Sequence, residues 1–128
     1  MKSHLVILLF VLFPSTLFGQ KEMTIAEVQG TGDRSPSVEQ KVKLMGVVTA
    51  RTRTGFFLQT PDDKADLNKN TSEGIFVFTR TDPPVEADVA NVVSVTGTVE
   101  EFKRENDVLA TTITELSMRK DRDEIKII

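Results

Sequence analysis

The chain has no cysteine, no tryptophan and no tyrosine, and its one histidine is His4. Each absence removes a class of chemistry. Without thiols there is no disulfide, no thiolate nucleophile and no cysteine-bound zinc. His4 falls in an N-terminal segment that reads as an export signal, so the remainder has no imidazole either. A Ser-His-Asp or Cys-His centre and the usual His/Cys zinc site are thereby excluded. Carboxylate-only catalysis needs a positioned pair of acids, and no Asp or Glu pair here stands in a recognisable frame. The expectation is a chain that is not a stand-alone enzyme, with no cofactor and no metal. The lack of Trp and Tyr also counts against a sugar-binding platform.

Long hydrophobic runs are equally scarce. "LVILLFVLF", residues 5–13, follows a short basic start and is broken by Pro14, Ser15 and Thr16. Spanning a bilayer takes about 20 apolar residues, so the run reads as a secretory signal over residues 1–19, with Gly19 at the cleavage site. A retained N-terminal anchor is the alternative. Removal of residues 1–19 from the 128 leaves 109, the size of one small domain. The expected location is secreted or periplasmic, with no membrane attachment afterwards. The formal net charge of −3 becomes −4 when Lys2 is lost, which argues against purely electrostatic binding to nucleic acid or anionic membrane.

What is present is mostly strand. Residues 20–40 read as an N-terminal turn and loop, with a capping-box spacing at Thr24–Glu27, a short helix over 24–29 and Gly30 as its stop. Residues 41–118 read as five strands: 42–50, 56–60, 74–79, 92–102 and 108–118. Gly46 and Gly97 interrupt the two long strands, as at a bulge or a bend between sheets. The Pro-broken stretch 80–91 leaves room for one turn after Pro84. Residues 119–128 are a charged tail whose Ile125, Ile127 and Ile128 can add an edge strand. The fold class is all-β, a five-stranded Greek-key OB-fold barrel with a short N-terminal helical turn.

"VTARTRTGFFLQTPDD", an Asp/Asn-rich loop, "SEGIFVFT" and "VVSVTGTVEEF" together resemble the OB-fold module of secreted bacterial nucleases of the YhcR type. The resemblance runs from residue 24 to about 117. It implies a barrel that holds polynucleotide beside a metal-dependent nuclease domain. No such domain is found among the 128 residues, and the stretch between the third and fourth strands is too short for the helix many OB-folds place there. The implied role is therefore the non-catalytic binding module, with single-stranded nucleic acid and a separate nuclease subunit as partners. A second, architectural similarity is to small periplasmic OB-fold proteins built of a signal peptide and one barrel, which implies a small ligand or a protein partner instead.

The candidate surface follows from "GFFLQ". Successive strand side chains point to opposite faces, so Phe56 and Phe57 cannot share one core. With Phe56, Leu58, Ile75 and Val77 inside, Phe57, Gln59, Phe76 and Phe78 face outward on the second and third strands. Those strands form the OB-fold ligand surface. Arg51 and Arg53 on one rim and Arg80 on the other can reach phosphates, with Lys103 and Arg104 as weaker candidates. The competing reading places all five phenylalanines outside the signal in the core and leaves Arg51 and Arg53 as solvated hairpin charges. The loop 61–73 has oxygen ligands at Asp62, Asp63, Asp66, Asn68, Asn70 and Glu73. It lacks the turn glycine of a calcium loop and includes Lys64 and Lys69, so an ordinary solvated loop is expected.

Overall fold

A computed structural model describes residues 19–106, 108–109 and 111–128. The signal-peptide reading, Gly19 apart, lies outside the described residues. The elements are β1 (Lys21–Glu22), α1 (Ile25–Gln29), β2 (Lys41–Arg51), β3 (Gly55–Gln59), β4 (Gly74–Phe78), β5 (Val92–Phe102), β6 (Ile113–Ser117) and β7 (Ile125–Ile127), with single 3₁₀ turns at Asp62–Lys64 and Val85–Ala87.

Five strands close on themselves in the order β2-β3-β4-β6-β5, and β5 returns to pair with β2. All neighbours are antiparallel except β4 and β6, which run parallel. This is the five-stranded OB-type barrel expected from the strand pattern. The period-2 alternation supplies its interior. Val42, Leu44 and Val48 of β2, Phe56 and Leu58 of β3, Ile75 and Val77 of β4, Val93, Val95 and Val99 of β5 and Leu116 of β6 are all buried in one cluster.

The long strands are long because each serves two neighbours. β2 pairs with β5 through Val47 and with β3 from Val47 onward, while β5 passes from β2 to β6 at Thr98. Gly46 and Gly97 sit just before these changes of partner. A Cβ on Gly46 would lie 2.7 Å from Leu58 Cγ, and one on Gly97 would lie 2.8 Å from Leu116 Cγ. Both glycines therefore make room for an inward leucine. They are not bulges; the register shift of β2 comes later, between Val48 and Ala50.

α1 forms through local bonding. Glu27 N–H donates to Thr24 Oγ1 at 3.1 Å, and Thr24 N–H donates to Glu27 Oε2 at 2.7 Å, a complete capping box. Ile25 and Val28 then enter the core, and Gln29 Nε2 donates to the Gly74 carbonyl at the start of β4. Two elements differ from the sequence expectation. The fifth barrel strand begins at Ile113, not 108, because its antiparallel pairing ends at Phe102–Ile113 and leaves Val108 and Leu109 exposed beyond it. β1 was not expected; two charged residues carry no periodic signal, yet they pair parallel to Val42 and Lys43. The tail does add a strand, β7, antiparallel to Val93–Val95.

Candidate nucleic-acid interface

The outer face of β3 and β4 is set by register. Phe57 lies opposite Phe76, and Gly55 lies opposite Phe78. Phe56 is fully buried whereas Phe57 is 45% exposed, and Phe76 and Phe78 are half-buried on the same outer side. The Phe57 and Phe76 rings are 5.0 Å apart between centroids and tilted by 53°. Phe76 also leans across β3: a Cβ on Gly55 would stand 2.3 Å from its Cζ. Glycine at 55 thus lets the ring lie low on the strand with its other face turned outward. Around the pair is a depression of about 340 Å³ lined by Gln29, Thr49, Gln59, Ile113 and Thr114 among others. Its walls are amides, hydroxyls and apolar carbons.

Phe78 and the arginines behave differently from one another. Arg80 has φ of 65°, the left-handed region that a residue with a Cβ occupies at a cost. Its guanidinium carbon sits 5.1 Å from the Phe78 ring centre, and Nη2 donates to Ser117 Oγ at 2.8 Å. Phe78 is therefore covered by the protein's own cation. Arg53, in the β2–β3 turn, is exposed and makes no hydrogen bond or ion pair among the described residues. Lys103 and Arg104 are exposed just beyond β5.

Arg51 points elsewhere than the alternation predicts. Simple alternation from Val42 would send its side chain outward. The register shift at Thr49 reverses the parity, so Ala50 pairs with outward Phe57 and Arg51 with inward Phe56. At that end of the barrel Arg51 Nη2 donates to the Pro83 carbonyl at 2.7 Å, and Nη1 donates to the Pro84 carbonyl at 3.2 Å and to Asp88. These bonds pin the 79–91 connection. Replacing Arg51 with alanine is expected to cost about 1–3 kcal/mol of stability through the unpaired carbonyls it leaves. Denaturant unfolding will read that loss, and ligand affinity per folded molecule is expected to stay unchanged.

The face also holds acids that one-strand reasoning missed. Glu115 of β6 is the register partner of Phe76 on one side and of Glu100 on the other. It is only 7% exposed, and its side chain makes no hydrogen bond or ion pair among the described residues. Burial, and then the Glu100 carboxylate, push its pKa above the ordinary 4.5, with Arg80 opposing. A carboxyl whose folded pKa is raised contributes full stability below its unfolded value and loses that contribution as pH rises through the folded one. Glu115→Gln is therefore expected to melt higher than the parent at neutral pH. The difference should vanish below about pH 4, a trend that thermal unfolding across pH will read. Glu101 is the opposite case: burial would raise its pKa, but the Ser35 N–H and the Thr112 and Thr114 hydroxyls outweigh it and lower the value.

The Asp/Asn-rich loop uses its oxygens on itself. Asp66 accepts from Asn68 N–H at 2.7 Å and Thr71 Oγ1 at 2.8 Å, Asn68 Oδ1 accepts from Asn70 N–H, and Glu73 accepts from Asp66 N–H. Among the described residues no group of three or more His, Cys, Asp or Glu side chains is placed to hold a metal ion. No known protein family matches the chain, and no curated protein matches it. The class that the coordinates define is an all-β, OB-type barrel with two neighbouring rings on its outer face.

Proposed function

We propose that this protein is a secreted, non-catalytic OB-fold domain that binds single-stranded or irregularly paired nucleic acid, related to the accessory module of extracellular nucleases. The observation that supports this reading best is the Phe57–Phe76 pair, 5.0 Å apart and open outward on the two strands OB-folds use for ligands. A nucleobase is flat, and stacking it on an aromatic ring is worth about 1–3 kcal/mol whatever its identity. Gln59 and Gln29 beside the rings offer amides to base edges. Arg53, exposed in the β2–β3 turn, gives the rings a sparse basic rim, while Arg80 is held on Ser117 and Phe78; that suits phosphate contacts few in number and a shallow salt dependence. Catalysis falls to a separate nuclease subunit in this reading. Plasmid incubated with the pure protein and Mg²⁺ or Ca²⁺ is expected to stay intact.

Fluorescence polarisation with a short labelled single strand at low salt tests the proposal. Saturable binding at micromolar protein is the expected result. Its absence would favour the second reading, a binder of a small ligand or a protein partner. That reading has its own supporting observation, a depression of about 450 Å³ beside β1 and β7, lined by Met23, Leu44, Met45 and Ile128 among others.

A further inference from the structure

The ring face contains a feature that stacking alone does not need. Glu115 stands next to Phe76, in register with it across the parallel β4–β6 pairing, so both side chains leave the sheet on the same side. The residue is only 7% exposed, its carboxylate is not closed off from solvent, and it has no hydrogen-bond donor and no cation within ion-pair distance among the described residues. Directly across β5 stands Glu100, a second acid. Like charges opposite one another on a sheet are destabilising, so an acid at this position carries a cost. The nearest cation on the face, Arg80, is committed to Ser117 and to the Phe78 ring. The neighbouring outward positions on β6 and β4 are Ile113, Ser117, Phe76 and Phe78, none of them a donor bonded to Glu115. Phosphate is excluded as its partner, because both are anions.

A carboxylate that the protein's own groups leave unengaged can take a donor, and this one stands beside an aromatic platform. We infer that Glu115 makes the Phe57–Phe76 face selective for bases with adjacent donors on the Watson–Crick edge, guanine before the others. This rests on the nucleic-acid reading given above. Guanine offers N1–H and an exocyclic amine side by side, a match for the two oxygens of one carboxylate. Adenine and cytosine each offer one amine beside an acceptor. Thymine and uracil present a single N–H between two carbonyls, and those carbonyls face the carboxylate unfavourably. A base stacked over Phe76 places that edge toward β6, where Glu115 stands. Phosphates and Phe57 supply affinity that every base shares; Glu115 supplies the difference between bases.

The test compares two labelled single strands of equal length at one salt concentration, one all thymine and the other with interior guanines in a thymine background. Equal phosphate count holds the electrostatic contribution constant. A bidentate base contact discriminates by about 1–3 kcal/mol, so the guanine strand is expected to bind roughly 5- to 150-fold more tightly. Substituting inosine, which lacks the exocyclic amine, should remove most of that gain on the unaltered protein. Glu115→Gln should erase the difference between the two strands, since an amide presents one acceptor where guanine needs two. Equal affinity of the unaltered protein for both strands overturns this inference and leaves nucleic-acid binding standing. No binding of either strand overturns the functional reading itself, and the base preference with it.

Discussion

Replacing Phe56 with alanine is expected to cost about 3–5 kcal/mol of folding free energy, the range for truncating a fully buried ring, while the same change one residue later costs little. Phe56 is wholly inaccessible and packs in the same cluster as Val48, Leu58 and Val77. The barrel cannot close over the space its ring fills, because the strands around it are tied by ladders on both sides. In a domain of this size total stability is about 5–15 kcal/mol, so the Phe56 variant will unfold at much lower denaturant or fail to accumulate. Phe57 removes far less apolar surface from water, being nearly half exposed. Its alanine variant is expected to unfold within about 1 kcal/mol of the parent, as substitutions away from the core usually do. Chemical denaturation of the two variants side by side checks this. A Phe57 variant as unstable as the Phe56 one would show that the outer ring belongs to the fold and not to a ligand.

The second large effect is on binding. Removing both outer rings, Phe57→Ala with Phe76→Ala, is expected to abolish measurable oligonucleotide binding. Each stacked base loses about 1–3 kcal/mol. The two losses will not sum simply, because the rings touch and act as one surface. Phe76 is half-buried over Gly55, so its removal also carries a modest stability cost, which unfolding of the single variants separates from the loss of affinity. Polarisation titrations of the single and double variants, each at a temperature where all are folded, check the prediction. Retained affinity in the double variant would place any binding surface elsewhere on the barrel.

Much of this geometry is legible in the sequence because a strand has only two faces. Once Phe56 and Leu58 are assigned to the core, Phe57 and Gln59 have one place left to go, and the same holds for Phe76 and Phe78 around Ile75 and Val77. What one strand cannot disclose is who its neighbour is. Glu115 meets Phe76 only because β4 and β6, nearly forty residues apart in the chain, pair in parallel at that register. Arg51 misleads for a related reason. A single inserted residue at Thr49 turns its side chain from the outer ring face to the end of the barrel, and "VTARTRTG" has no glycine or proline at that point to mark the shift. Phe78 is outward as the alternation requires, but the left-handed backbone at Arg80 brings a guanidinium onto it, and nothing in "FVFTR" announces that conformation. The two long strands were visible as bends through Gly46 and Gly97; that each glycine yields to a particular leucine needed the closed barrel.

Flat ligands are expected to dock on the outer side of β3 and β4. Two-dimensional NMR of the labelled protein, titrated with a short single-stranded oligonucleotide, addresses it residue by residue. Resonances of Arg53, Phe57, Gln59, Phe76 and Thr114 are expected to shift progressively while those of Met45, Ser94 and Ile128, across the barrel, stay in place. Shifts confined to the Met45–Ile128 side, with the ring residues unmoved, would contradict it.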